Sequence, residues 1–258
     1  MYLYPTKVTK MELKKSGLPL FLEKNRLEFK GGLKEVLPAV RLLGQMKQVL
    51  LDKEAAAPKE LYCMYRGVCL AEHAKKIFEN NLRYDITVIP GAKIGKEFVK
   101  TLGHFHPKVF GANTCFPEVY EVISGTAHYL LQTEKDFVVV AATAGEKVIM
   151  PPGYGHVTVN PKKETLVMAN WVEKNFESDY SLYREKGGAM FFETTTGWEK
   201  NTNYKKIPKP RKLKPINFPE FGLEKNVPMY SLVSGLKKLD FLKNPQKYKK
   251  SFELFLGR

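Results

Sequence analysis

Four side chains that can bind a metal fall into two segments of this 258-residue chain. His104 and His106 are separated by one residue and are followed by Glu118, whereas His156 comes after a turn rich in proline and glycine. Alternate side chains of a strand point to the same side, so the first two imidazoles can reach one point. Three imidazoles and one carboxylate suit a divalent transition metal that keeps positions open for a substrate. Because three of the chain's five histidines fall in this set, the sequence predicts a metal centre.

The elements that would position these ligands are short apolar segments between turn residues, and they begin near Tyr84. We predict strands over residues 85–89, 119–123, 127–131, 137–142, 147–150, 157–159, 165–171 and 189–193. Short strands at such even spacing are typical of an antiparallel sandwich or barrel. The ligands would then point from separate strands into one largely apolar volume. An unpaired histidine or glutamate is costly there, and a metal removes that cost.

The segments on either side of this region differ from it in composition. We predict an N-terminal extension over 1–59, a barrel carrying the active site over 60–195, and a C-terminal extension over 196–258. Apolar residues at helical spacing predict an amphipathic helix over 33–51 in the first extension. From Lys200 onward, 15 Lys and Arg stand against four Asp and Glu, and several prolines follow one another. This composition predicts an extended, wrapping, basic segment that ends in a helix over 230–256.

Composition also excludes several classes of protein. No stretch approaches the roughly twenty apolar residues of a membrane span, and residues 1–5 do not resemble the start of a secretory signal. Cys63, Cys69 and Cys115 form no CxxC pair, which predicts free thiols in the reducing cytoplasm. Most of the net charge of +15 belongs to the C-terminal extension. A diffuse basic segment is typical of a solvated surface, so nucleic acid is not an expected partner.

Two motifs carry a resemblance to the cupins. The segment from Gly145 to Asn160 matches the second cupin motif, including His156 at its expected place. The first motif is matched in part, because eleven residues, 107–117, separate its second histidine from Glu118 where most cupins have only a few. We therefore expect a longer hairpin loop with both strands in place. Glu118 keeps the motif's distance to Gly125, whereas Glu121 is one step out of phase and should face the opposite side.

A closer resemblance covers about residues 33–195. The runs 87–91, 94–97, 101–106, 118–120, 129–132 and 179–180 resemble the cupin-type glucose-6-phosphate isomerases known mainly from archaea. The resemblance implies a mainly β fold, the cupin double-stranded β-helix or jelly-roll barrel, with helical or extended appendages at both termini. It also implies one divalent ion per chain, Fe2+, Mn2+, Ni2+ or Zn2+, on His104, His106, Glu118 and His156. The phosphate of the substrate would bind at Thr87, Thr101 and Gly103, and Tyr120 and Tyr180 would line the pocket.

The activity implied is interconversion of glucose 6-phosphate and fructose 6-phosphate, a step of glycolysis and gluconeogenesis, by a cytoplasmic homodimer. Glu118 would serve as the catalytic base that shuttles a proton between C2 and C1, with a hydride shift as the rival mechanism. The same ligands also suit a cupin oxygenase or decarboxylase, or a cupin that binds a sugar phosphate without turnover. Two departures from the family, a tryptophan at 171 where a tyrosine is expected and Ser178 near an expected histidine, bear on the sugar phosphate accepted.

Overall fold

The computed structural model describes residues 10–258, and residues 1–9, which include the start of the chain considered for a signal, lie outside the described residues. The strands are β1 (Met11–Glu12), β2 (Leu20–Glu23), β3 (Arg26–Phe29), β4 (Ala39–Leu42), β5 (Glu60–Tyr65), β6 (Leu82–Ile89), β7 (Lys93–Ile94), β8 (Glu97–Phe98), β9 (Glu118–Ser124), β10 (Thr126–Thr133), β11 (Asp136–Thr143), β12 (Lys147–Met150), β13 (Gly155–Val159), β14 (Leu166–Glu173), β15 (Phe191–Thr194), β16 (Gly197–Lys200) and β17 (Arg211–Leu213). The α-helices are α1 (Leu43–Met46), α2 (Ala74–Glu79), α3 (Ser181–Glu185) and α4 (Lys249–Phe255). Short 3₁₀ helices cover Lys14–Ser16, Lys47–Val49, Ala71–His73, Pro219–Phe221, Met229–Leu242 and Pro245–Tyr248.

Two sheets facing each other form the barrel. One has the order β12-β9-β14-β6-β5-β4, and the other has the order β13-β10-β11-β17. Their inner faces meet where the Tyr129 hydroxyl of β10 lies 3.6 Å from the Met168 sulfur of β14. Tyr120 of β9 packs on the same tyrosine with ring centres 5.5 Å apart. The prediction of a mainly β chain built on a cupin barrel is confirmed, and smaller sheets β1-β2-β3 and β16-β15-β8-β7 flank it.

The alternation of side chains explains why these segments form strands. In β9 one face turns Glu118 and Tyr120 towards the inside of the barrel, and the other turns Glu121 outward, as predicted from its phase. Most of the predicted strands appear within a residue or two of their expected limits, and the one expected over 189–193 is found at Phe191–Thr194. Among the described residues, no helix is long and apolar enough to cross a membrane.

The predicted amphipathic helix over 33–51 is wrong. Its middle is strand β4, which pairs with β5 at the edge of the six-stranded sheet, and α1 follows with only four residues. Pro38 explains the failure, because proline disfavours a helical conformation at the preceding residue and removes a helical hydrogen bond. Leu37, which helical spacing would count with the apolar face, is 84% exposed.

The C-terminal extension packs on the outer face of the six-stranded sheet. A buried ion pair joins Lys147 of β12 to Glu121 of β9 at 2.8 Å. The Lys147 ammonium also donates to the carbonyl oxygens of Glu224 and Val227, and the Glu121 carboxylate accepts from the Met229 N–H. These bonds, with an apolar cluster that includes buried phenylalanines of the extension, make the extension part of the core.

The terminal helix predicted over 230–256 is only partly correct. Most of that segment is 3₁₀ helix, Met229–Leu242, with non-helical backbone at Gly235, and only α4 is an α-helix. Glycine and the nearby prolines interrupt regular helix formation. The domain limits at 60 and 195 stay a prediction, and sheet pairing crosses both of them, through β4–β5 and β11–β17.

Candidate metal centre and substrate pocket

The two neighbouring histidines lie on an extended segment that pairs with the start of β13. The His104 N–H donates to the His156 carbonyl at 3.3 Å, and the His156 N–H donates back at 3.0 Å. Phe105, between the two histidines, turns to the opposite side and packs on Tyr183. A side chain at Gly155 would collide with the Phe105 ring at 2.4 Å, so glycine is required for this close approach. The alternation predicted for His104 and His106 is what the structure shows, with their Nε2 atoms 3.1 Å apart.

Glu118 and His156 complete the cluster from two further strands. The Glu118 Oε2 atom lies 3.2 Å from His156 Nε2 and 3.5 Å from His106 Nε2. Four residues, His104, His106, Glu118 and His156, each offer one possible ligand atom, and these four atoms all lie within 4.8 Å of one another. The structure therefore brings the four residues together, with Glu118 and His156 on strands and with His104 and His106 on an extended segment where a strand was expected.

The protonation of the cluster favours a cation at its centre. The His106 Nδ1 atom lies 3.0 Å from the Phe116 carbonyl, which can only accept, so the proton is on Nδ1 and Nε2 presents a lone pair. Burial lowers the pKa of His106 to about 4 and that of His104 well below its ordinary value, so both rings are neutral near pH 7. Glu118 Oε2 and both ring nitrogens of His156 are buried without hydrogen-bond partners. The Nε2 lone pair of His106 and the Glu118 carboxylate face each other at 3.5 Å, and two acceptors in this position are what a metal ion would satisfy.

The carboxylate of the cluster has a partner that sequence reasoning missed. The Asn170 Nδ2 group of β14 donates to Glu118 Oε1 at 2.6 Å, and both side chains are buried. Burial opposes ionisation of Glu118, but its histidine neighbours outweigh burial and hold its pKa below the ordinary value. Asn170 lies 52 residues from Glu118 along the chain, and no motif links the two positions. Only a prediction that β9 and β14 are neighbouring strands could have suggested this contact.

The long loop over 107–117 forms the hairpin that the sequence predicted. Lys108 and Cys115 pair across it, and the Val109 N–H donates to the Thr114 carbonyl at 2.8 Å. At its end, Phe116 stacks on Phe176 with ring centres 4.8 Å apart. The loop thus leaves the ligand segments in place. It also brings the Phe116 ring, and the Phe116 carbonyl that orients His106, to the edge of the site.

A pocket opens from the histidine cluster across the inner face of the six-stranded sheet. All five residues predicted to bind the substrate line it: Thr87, Thr101, Gly103, Tyr120 and Tyr180. The Thr101 hydroxyl accepts the Thr158 N–H at 2.9 Å, which leaves its own proton free to be donated. Gly103 has φ +85°, and an added Cβ would lie 2.6 Å from Val157. Glycine is therefore the residue that this turn accepts.

The pocket also holds charged residues that the sequence analysis did not select. Asp85 is buried on β6 and accepts hydrogen bonds from Arg66 and Arg83 at 3.0 and 2.9 Å. Burial raises the pKa of Asp85 above its ordinary value, and the two guanidinium groups oppose that shift. A third arginine, Arg41, lines the pocket from β4. These charged residues lie on or directly beside β4, β5 and β6, outside any motif, and so gave no signal in the sequence.

Known proteins resemble this chain over the same region. Residues 42–209 match the family model described as glucose-6-phosphate isomerase (GPI). The glucose-6-phosphate isomerase of Pyrococcus furiosus is 32% identical over 167 residues, which cover 63% of this chain and 84% of the relative. That of Thermococcus kodakarensis is 34% identical over 151 residues, which cover 57% and 76%. The chain belongs to the glucose-6-phosphate isomerase family.

Membership of the glucose-6-phosphate isomerase family confirms the resemblance drawn from the motifs. Among solved structures, oxalate decarboxylase from Bacillus subtilis overlaps 46% of this chain and 27% of that chain, at 21% identity and a TM-score of 0.32. An overlap this partial carries no argument about activity. The isomerase family match ends at residue 209, so residues 210–258 of the C-terminal extension lie outside it.

One expected departure from the glucose-6-phosphate isomerase family is corrected by the structure. Trp171 does not line the pocket, because it is fully buried on the opposite face of β14 and donates its indole N–H to the Met229 carbonyl at 3.0 Å. The residues of this strand that line the pocket include Asn170 and Val172. Side chains alternate along a strand, so an assignment displaced by one residue changes the face. Ser178 does line the pocket, as expected.

Proposed function

We propose that this chain interconverts glucose 6-phosphate and fructose 6-phosphate in the pocket beside the histidine cluster. The observation that carries the proposal is the cluster itself, three histidines and Glu118 with ligand atoms within 4.8 Å, inside a chain of the glucose-6-phosphate isomerase family. The same pocket offers hydroxyl and backbone groups of the kind that bind phosphate. The proposed reaction end and the proposed phosphate end would therefore share one cavity.

We further propose that His104, His106, Glu118 and His156 hold one divalent metal ion. Such an ion would supply Lewis-acid stabilisation of negative charge on the oxygens at C1 and C2 of the sugar. The four residues offer three nitrogens and one oxygen, a set that iron, manganese, nickel and zinc all accept. The residue roles are proposals that rest on the neutral rings and unpartnered acceptors described above.

Glu118 is the proposed catalytic base. It takes the C2 proton while the electron pair of the C–H bond forms the C1–C2 double bond and the carbonyl oxygen at C1 gains a proton. The protonated Glu118 then returns its proton to C1 of the enediol as the C2 hydroxyl loses its proton and becomes the new carbonyl. Asn170 holds the other carboxylate oxygen, so one face of the group stays directed at the cavity. Burial and the Glu118 charge raise the pKa of Tyr120 well above its ordinary value, so its hydroxyl remains a donor.

Other side chains of the pocket bind the substrate and limit the access of water. Thr87, Thr101 and Gly103 are proposed to hold the phosphate, with the free Thr101 proton and backbone N–H groups as donors. Tyr180 packs over His104 with ring centres 5.5 Å apart, and Phe176 packs over His106 at 4.5 Å. These rings cover the cluster on the side of the loop and reduce its contact with solvent.

The deciding experiment is a coupled assay for conversion of fructose 6-phosphate to glucose 6-phosphate, with and without complete removal of metal. We expect chelation to abolish turnover and added divalent metal to restore it. Glu118→Gln should lose turnover, whereas Glu146→Gln, which removes a distant carboxylate paired with Lys225, should not. Turnover that survives complete metal removal would contradict the mechanism.

A second experiment separates proton from hydride transfer. We expect deuterium from solvent to appear at C1 or C2 during turnover, because Glu118 can exchange its proton before returning it. No incorporation at all would favour a hydride shift and remove the role of base from Glu118. Oxygen-dependent loss of substrate in place of isomerisation would identify the oxygenase class instead.

We also propose that the protein is a cytoplasmic homodimer. The family resemblance implies the dimer, and the three cysteines, all free in the described structure, agree with a reducing environment. Sedimentation or light scattering at micromolar concentration tests the assembly, and a mass of one chain would contradict it. Localisation of the tagged chain tests the compartment.

A further inference from the structure

One arginine of the pocket has no partner for its charge. Arg41 stands opposite Tyr62 in the pairing of β4 with β5, and its guanidinium group lies 5.9 Å from the centre of that ring. Within residues 10–258, no carboxylate lies within ion-pair distance of Arg41, and its Nε atom is buried without a hydrogen-bond acceptor. Such an atom is costly to bury, so a ligand that supplies an acceptor is the simplest compensation.

The other two arginines of the pocket differ in this respect. Arg66 and Arg83 both donate to the buried carboxylate of Asp85, which neutralises part of their charge and holds them in place. The positive charge of Arg41 is therefore available to a ligand that enters the cavity. Its side chain is partly buried, so screening by water is weaker than at an open surface.

Arg41 also borders the segment proposed to bind phosphate. The Tyr62 hydroxyl accepts the Leu102 N–H at 3.2 Å, and Leu102 lies between Thr101 and Gly103. The phosphate residues taken from the family resemblance are all neutral, and hydroxyl and amide donors alone do not offset the charge of a phosphate dianion. A guanidinium group supplies both the charge and two parallel donors.

We propose that Arg41 is a phosphate-binding residue of this pocket, and that it gives the site its preference for phosphorylated over neutral sugars. The inference rests on the proposed function, because it assigns the phosphate end of the same cavity. β4 thereby becomes part of the active site, although the sequence places it in the N-terminal extension.

The test compares the full-length protein with Arg41→Met and Arg41→Lys. We expect Arg41→Met to raise KM for fructose 6-phosphate and the dissociation constant for inorganic phosphate, measured by calorimetry, by about 10- to 100-fold. The value of kcat should change much less, because the phosphate is remote from the reacting carbons. Arg41→Lys keeps the charge without the planar pair of donors and should recover part of the loss.

Arg26→Met serves as the matched control, because it removes one positive charge from an arginine that is paired with Glu60 outside the pocket. Phosphate affinity within twofold of the wild type in folded Arg41→Met would overturn the inference even if the protein is an isomerase. If the wild type does not isomerise fructose 6-phosphate but binds phosphate through Arg41, the proposed function fails and the anion site stands. Should Arg41→Met melt early, Arg41→Gln, which keeps a polar side chain without the charge, decides, and an unchanged phosphate affinity there would also overturn the inference.

Discussion

Replacing Asn170 by leucine tests how the carboxylate of the cluster is held. The substitution removes the donor that lies 2.6 Å from Glu118 Oε1 and leaves that oxygen buried without this partner. A buried hydrogen bond to a charged group contributes about 1.5–3 kcal/mol, and about 1.4 kcal/mol corresponds to a factor of ten. We therefore expect the affinity for a divalent metal to fall by about 10- to 100-fold, which is the range usual for partners of metal ligands.

The affinity is measured by competition with a chelator of known strength, in parallel with kcat at saturating metal. Met168→Leu is the control, because this residue lines the same pocket from the same strand and is not bonded to Glu118. Thermal unfolding of the metal-free variants separates a loss of fold from a loss of affinity. A metal affinity unchanged within twofold, in a folded Asn170→Leu protein, would refute the role assigned to Asn170.

Three further predictions concern the packing of the C-terminal extension and the face of β14. Lys147→Met should lower the free energy of unfolding by about 3 kcal/mol near pH 8, because the buried Glu121 carboxylate loses its cation. Burial raises the pKa of Glu121 from 4.5 to about 7 despite Lys147. The free energy of unfolding therefore falls as pH rises from 4.5 through 7, and the loss caused by Lys147→Met should be smaller in denaturation at pH 5 than at pH 8. Trp171→Phe should cost about 1 kcal/mol of stability through the lost bond to the Met229 carbonyl and leave KM within twofold, and a large change in KM would place the indole in the pocket after all. Truncation before β17 should abolish cooperative unfolding in circular dichroism, because it uncovers the core residues beneath the extension, and a truncated chain that melts like the full one would contradict this.

The local pattern of residue types was sufficient to predict the strands and the candidate metal ligands. The positions of His104 and His106 on one side of an extended segment follow from the alternation of side chains, which depends on neighbouring residues only. Glu121 was placed on the outer face for the same reason, and the structure agrees, since it pairs there with Lys147. Where the reasoning was displaced by one residue, as at Trp171, the same alternation put the side chain on the wrong face.

The helix expected over 33–51 shows where local pattern fails. Apolar residues do recur there at helical spacing, but Pro38 interrupts the segment. Residues of β4 instead form hydrogen bonds with β5 at the edge of the six-stranded sheet. The basic C-terminal extension was interpreted mainly by its charge, whereas its apolar residues determine where it lies. Burial of those residues depends on the outer face of a distant sheet, which the composition of the segment does not reveal.

The sequence by itself determined the barrel, its family and the four residues that can hold a metal, because all of these are encoded in short motifs and in the period of the strands. Only the tertiary structure decided that Asn170 holds Glu118, that Arg41 reaches the pocket with its charge unpaired, and that the C-terminal extension closes the outer face. These contacts join residues far apart in the chain. They depend on which strands become neighbours, and no local preference records that choice.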